Sequence, residues 1–206
     1  MARSIIPAYT TNQLITSAHG NTYWVANEAA HWAAIQGGLC LIETKLLGAP
    51  AASFDFTAIP ATYRHLKLII TGRGDTALPN IGVYAIFNAD GGANYDWQRV
   101  YIADAVVTGS EHIAQTAGSI GNFAAATAPA GLSGASEVMF PDYKGTTFNK
   151  TYISNGVDKL STAHLNIHIY NNYGHWRSSV AINQITITPN AGNFITGSIA
   201  SLYGIG

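Results

Sequence analysis

The sequence predicts a mainly β fold: an antiparallel β-sandwich of jelly-roll type, preceded by an N-terminal extended arm and one short α-helix. Three observations predict it. From residue 40 onward, apolar residues recur at every second position in short runs. Turn clusters rich in Gly, Asn, Asp and Pro separate the runs, as at Gly72-Arg73-Gly74-Asp75 and Pro189-Asn190-Ala191-Gly192. Charged residues make up only 10% of the 206 positions, where about 25% is typical, and the deficit falls on helix formers: four Glu and five Lys. A surface this poor in Lys and Glu argues against a helical bundle and suggests that much of it faces other protein.

Residues 1–16 are polar and extended in character, and Pro7 breaks any early helix. Thr16 or Ser17 then caps a helix over Ala18 to Gln36, which holds no proline and only Gly20 as a weak spot. Gly37-Gly38 stops it, because glycine tolerates the left-handed conformation of a helix C-cap. Val25, Trp32 and Leu39 lie seven apart, Ile35 falls between the last two, and Trp24 and Ala29 widen the seam. A helix this short is marginal alone in water, so its apolar side needs cover. Trp24, Val25, Ala29, Trp32 and Ile35 are therefore the expected oligomer and attachment interface. They pack either on the chain's own sandwich or, the sharper expectation, on copies around an oligomer axis. The chain divides near residue 50, with 1–49 as arm and helix and 50–206 as the sandwich.

Within 50–206, Phe54 and Phe56 alternate with Asp55 and Thr57, and Leu66, Leu68 and Ile70 with Lys67 and Ile69. Val83, Ala85 and Phe87 follow, then Trp97, Arg99 and Tyr101 opposing Val100 and Ile102. Val138 and Phe140 share a face before Pro141. The cleanest alternation sets Leu165, Ile167 and Ile169 against His164, Asn166, His168 and Tyr170. It places the aliphatic set in the core, so Ile167→Asp is expected to unfold the domain. Ile185 and Ile187 alternate with Thr186 and Thr188, and the chain closes on Ile195, Ile199 and Leu202-Tyr203. Eight or nine strands of this kind fit a jelly roll. The Ala/Gly/Ser-rich stretch Ala105 to Ser136 predicts one or two weak strands joined by long surface loops.

The formal net charge of −1, from 10 basic and 11 acidic residues, leaves no basic stripe for nucleic acid. No apolar run approaches the roughly 20 residues a membrane helix needs, so no membrane association is expected. The N-terminus lacks the continuous apolar stretch of a secretory signal. Cys40 stands alone, which excludes an intramolecular disulfide and leaves the role of a small buried hydrophobe. There is no nucleophile elbow, phosphate-binding glycine loop, paired Cys set or His-Glu-x-x-His helix, so no catalytic, cofactor or metal residue is assigned and no enzyme is expected.

Four motifs remain. His164 and His168 sit about 13 Å apart along one strand face, too far to share a metal ion, and mark a polar or interface-facing strand surface. Asn88, Asp90, Asn94 and Asp96 around Gly91-Gly92 have the composition of a calcium loop without its spacing, and a hairpin turn accounts for them. Arg73-Gly74-Asp75 is ordinary turn material. Of the 11 Tyr and four Trp, Trp97 and Tyr101 look like core, whereas Tyr173, His175 and Trp176 form the candidate glycan contact, since exposed aromatic rings stack on the apolar faces of sugars.

The segment FDFTAIPATYRHLKL (Phe54 to Leu68) resembles the opening strands of a module found in small virion proteins of tailed bacteriophages. FNADGGANYDWQR (Phe87 to Arg99), FPDYKGTTFNK (Phe140 to Lys150), WRSSVAINQITITPNAGNF (Trp176 to Phe194) and GSIASLYGI (Gly197 to Ile205) match in the same order. The leader TTNQLITSAHGNTYWVANEAAHW (Thr10 to Trp32) is similar to N-terminal attachment segments of phage fibre and head proteins. The resemblance implies a β-sandwich, commonly trimeric, that decorates a head or forms the distal part of a fibre, and it transfers no catalytic residue. The expected function is that of a non-enzymatic virion structural protein on the particle exterior, a capsid decoration or cement protein. Its expected partners are its own copies in a homotrimer and the major capsid protein or another virion protein. The alternative is a tail or head-fibre adhesin for host surface glycans, or a carbohydrate-binding module.

Overall fold

The computed structural model describes residues 38–162 and 166–206. In chain order the strands are β1 (Leu39–Leu46), β2 (Phe54–Phe56), β3 (His65–Gly72), β4 (Asn80–Phe87), β5 (Tyr95–Ala103) and β6 (Val106–Gln115). They continue as β7 (Gly118–Ala124), β8 (Gly134–Phe140), β9 (Lys150–Lys159), β10 (Ile167–Trp176), β11 (Ile185–Pro189) and β12 (Ile199–Ile205). A sheet of eight runs β1-β12-β3-β8-β9-β10-β5-β6, and a sheet of four runs β2-β11-β4-β7. All pairings are antiparallel. Every strand of the small sheet is entered from the large sheet and left to it, so the two layers are sewn together along the chain.

The period-two runs explain the core. Phe54 and Phe56, Leu66, Leu68 and Ile70, Val83, Ala85 and Phe87, Val138 and Phe140, and Ile185 and Ile187 are all buried between the sheets. Phe87 is the hub of an aromatic cluster, with ring centroids 5.5 Å from Phe140, 5.6 Å from Trp176 and 5.7 Å from Tyr95. Such edge-to-face and tilted pairs add stabilisation beyond the burial itself. Gly174 lets β10 pass over the Tyr152 ring, since a Cβ there would meet Tyr152 at 2.0 Å.

Three expectations need correction. Leu39–Leu46, assigned to the arm, is the edge strand of the large sheet, with Leu39 opposite Ile205 on β12 instead of on a helical seam. Its alternation is broken by an irregular register between Leu41 and Glu43, which hides the strand from a period-two search. The stretch 105–136 holds two strands, within the number expected, but β6 and β7 are full strands separated by only two residues and β7 is largely buried, where weak strands joined by long surface loops are expected. The β5–β6 hairpin turns on Asp104 and Ala105, both with positive φ. That is the geometry of a two-residue hairpin turn, carried here by Ala where Gly is the usual signal.

The third correction concerns β10. Ile167 is 49% exposed and Ile169 46%, both on the outer face of the large sheet, while Tyr170, Asn172 and Trp176 are buried. Leu165 lies outside the described residues. The alternation is real, but its faces are reversed, because the core below β10 is partly polar. Ile167→Asp is therefore expected to leave the melting of the fold nearly unchanged, within about 0.5 kcal/mol as for other exposed positions. A thermal melt followed by circular dichroism reads it. The helix over Ala18 to Gln36 lies outside the described residues, as do its interface candidates Trp24, Val25, Ala29, Trp32 and Ile35.

Candidate functional site

The outer face of the eight-stranded sheet carries the most unusual surface of the molecule. Strand registers align one row across all eight strands: Leu46, Ile199, Thr71, Ala135, Val157, Ile169, Ile102 and Val107. The row holds no charge and, at about 4.8 Å between strands, spans ~34 Å. Leu46, Val107, Ile169 and Val157 are between 42% and 66% exposed. Two rows along the strands lies a second series, from Leu41 through Tyr203, Lys67, Met139, Ile153, Tyr173 and Gln98 to Glu111. The row between them includes Ile69, Glu137, Asn155, Asn171 and Val100. Lys67 and Glu137 lie on adjacent strands and pair at 2.6 Å.

At one end of this face an open pocket of about 400 Å³ is bounded by Asp96, Gln98, Glu111, Thr151, Ile153, Tyr173 and His175, with Trp97, His112, Tyr152 and Gly174 completing its lining. Tyr173 stands out from β10, 53% exposed. Gln98 Nε2 donates to Glu111 Oε1 at 3.3 Å. Asp96 accepts from the Ala114 N–H at 2.8 Å and has Arg177 Nε at 3.4 Å. An exposed ring beside amide and carboxylate groups suits a polyhydroxylated ligand, which offers apolar faces and a fan of hydroxyls.

The third assembly lies on the core side of the same sheet. Asp158 on β9 is 1% exposed. Tyr170 donates to its Oδ2 at 3.3 Å, Asn80 Nδ2 reaches that oxygen at 3.5 Å, and His168 Nδ1 lies 3.1 Å from Oδ1. Burial pushes the Asp158 carboxyl up to about 6, against the opposing pull of His168, Asn80 and Tyr170. Asn172 and Ser119, joined at 3.2 Å, lie buried on the same side. These polar groups take the inward positions that the sequence assigns to aliphatic side chains.

The structure brings two of the three candidate glycan contacts together. Tyr173 and His175 line the pocket; Trp176 does not. The Trp176 indole points the other way, is 3% exposed, and donates Nε1 to Asp90 Oδ2 at 2.7 Å. Asp90 also accepts from Asn94 Nδ2 at 2.9 Å and from the Gly92 N–H at 2.9 Å, so the Asn/Asp cluster serves its own hairpin turn. These three donors, Trp176 first, hold the Asp90 carboxyl below its ordinary range. Arg73 donates to the carbonyls of Ala126, Ala128, Pro129 and Leu132, so its guanidinium braces a loop. Cys40 is half-buried and its Sγ accepts from the Tyr63 hydroxyl at 3.0 Å. His164 lies outside the described residues.

Sequence reasoning missed Gln98, Glu111 and Ile153 in the pocket, and missed the apolar row. The row was detectable only in principle. Ile167 and Ile169 alternate with residues that can be buried as hydrogen-bonded pairs, and nothing in one strand tells which face is inside.

No family model matches the chain, and no curated protein is similar to it. Among solved structures, a toad ovary galectin in complex with thio-digalactose is similar at 11% identity and a TM-score of 0.23, over 66% of this chain and 98% of the galectin. A likeness at that score carries no argument about fold or ligand.

Proposed function

We propose that this chain is a non-enzymatic structural protein of a tailed-bacteriophage particle, of the capsid decoration or cement type, oligomeric as a homotrimer and placed on the particle exterior. In this reading the sandwich, taken as a member of the jelly-roll class, is the displayed domain, and residues 1–38 attach it to the major capsid protein. The observation that carries the reading is the wide apolar outer face of the large sheet on a chain with few charges, which suits a subunit whose surface is covered in an assembly. The segments that resemble phage virion proteins supply much of the core, including Phe54, Phe56, Leu66, Leu68, Phe87, Phe140 and Phe194.

Co-sedimentation of the full chain with capsids that lack it tests the proposal. The full chain is expected to bind, and a tenfold rise in salt to weaken binding little, because apolar and backbone contacts are hardly screened. Trp24→Ala with Trp32→Ala is expected to weaken binding at least tenfold, as loss of buried aromatic anchors does. Absence of binding by the full chain overturns the capsid assignment.

The pocket at Tyr173 and His175 favours a second reading, a fibre adhesin or carbohydrate-binding module for host surface glycans. If the full chain ignores capsids but binds host polysaccharide, and Tyr173→Ala abolishes that binding, this reading replaces the first.

A further inference from the structure

We infer that the outer face of the eight-stranded sheet is the surface through which copies of this chain pack on one another, with the apolar row from Leu46 to Val107 at its centre. The inference deepens the proposed function and rests on it only in taking the chain as an assembly subunit, not in where the assembly sits.

The first argument is the reversed parity of β10. Ile167 and Ile169 point to solvent, whereas Tyr170 and Asn172 are buried and must be matched by hydrogen-bond partners. A strand with water on its outer face ordinarily alternates the other way, apolar in and polar out. Val157 on β9 repeats the pattern, 42% exposed while Ser154 and Asp158 are buried, and Ile199 on β12 adds a 37% exposed aliphatic side chain to the same face. The face reads as the inside of something larger.

The second argument is width. The row crosses every strand of the sheet, edge to edge, ~34 Å at about 4.8 Å per strand. A single α-helix is about 10–12 Å across with its side chains. Laid along the strands it covers about two of them; laid across them it covers the row but leaves Met139, Ile153 and Tyr173 open. A partner as broad as the sheet itself is required, and another sandwich of the same chain has that breadth.

The third argument is area and charge. Three rows, each about 6.6 Å from the next along the strands, make a patch of about 34 by 20 Å, or roughly 700 Å², close to the ~800 Å² per partner of a standard stable interface. Lys67 and Glu137, both inside the patch, neutralise each other at 2.6 Å, and Glu111 sits on the edge strand β6. Two such faces therefore meet as a twofold pair without net repulsion at their centres, in a contact separate from the threefold association of the proposed function, and apolar contact dominates.

Sedimentation of the full chain at micromolar concentration tests the inference. Wild type is expected at a multiple of its 21.8 kDa mass. Val157→Lys with Ile169→Lys is expected to run as a folded monomer with the circular dichroism spectrum of wild type, because both side chains point away from the core, and to melt lower only by the stabilisation that association adds. Val157→Thr with Ile169→Thr keeps strand propensity and guards against misfolding of the lysine variant. It is expected to weaken association at least tenfold. A monomeric wild type, including one whose own residues 1–37 cover the face, overturns the inference. So does a folded lysine variant that remains as oligomeric as wild type. Failure to bind capsids leaves this result untouched, so the two proposals fail separately.

Discussion

Trp176→Ala is expected to destabilise the sandwich by about 4 kcal/mol, the upper range for deleting a large buried aromatic. The indole is 3% exposed, stacked on Tyr95 at 6.3 Å and set edge-on to Phe87 at 5.6 Å. Removing it opens a cavity at the centre of the aromatic cluster, which a twisted two-layer fold closes only in part. It also takes from Asp90 its shortest side-chain donor, the 2.7 Å bond from Nε1, and so loosens the 88–94 turn. Trp176→Phe separates the two effects: most of the ring remains, the donor goes, and a loss of about 1–2 kcal/mol is expected for one charge-assisted hydrogen bond. Because Asp90 is held below its ordinary value, its contribution is present above about pH 4 and fades as pH falls through the folded value. The difference between wild type and Trp176→Phe should therefore shrink in acid. Urea unfolding at neutral and acid pH reads all three expectations. If Trp176→Ala melts like wild type but loses glycan binding, the indole is a ligand contact and not a core side chain.

The sequence made some of this legible and not the rest, for reasons particular residues show. Strands β2, β3, β4, β8 and β11 were readable because their two faces differ: Leu66, Leu68 and Ile70 meet the opposite sheet while Lys67 and Thr71 do not. Strand β10 defeated the same logic. Its inward positions carry Tyr170 and Asn172, which can be buried because Asp158 and Ser119 wait across the strands to bond them. A hydrogen bond between residues 12 or 53 positions apart leaves no trace in local periodicity. Strand β1 was lost to a register irregularity, and β6 to a turn in which Ala105 adopts the conformation usually given to glycine. Of the candidate glycan contacts, Tyr173 and His175 point outward and line one pocket. Trp176 does not, because β10 stays paired on both sides through that residue, which shares the inward parity of Tyr170 and Asn172.

Asp158→Asn is expected to raise stability at pH 8 by about 2 kcal/mol and to have almost no effect at pH 4. The carboxyl is pushed up to about 6 by burial, from an ordinary 3.8, so the folded chain binds this proton more tightly than the unfolded chain does. Stability from this group is therefore highest when it is protonated and falls as pH rises through the window between about 4 and 6. At 1.36 kcal/mol per unit the full cost of ionising it in the fold is roughly 3 kcal/mol. That figure is already net of His168 at 3.1 Å from Oδ1 and of the Tyr170 and Asn80 contacts to Oδ2, and burying a neutral amide takes back part of the gain, which leaves about 2 kcal/mol. An asparagine keeps an oxygen for Tyr170 and Asn80 and never carries the charge, so it escapes the penalty at high pH. For a domain of this size 2 kcal/mol corresponds to about 4–8 °C in melting temperature. Melts of both proteins at pH 4 and pH 8 decide the matter. If wild type is the more stable of the two at pH 8, then the ion pair with His168 outweighs desolvation, and Asp158 strengthens the fold in its charged form.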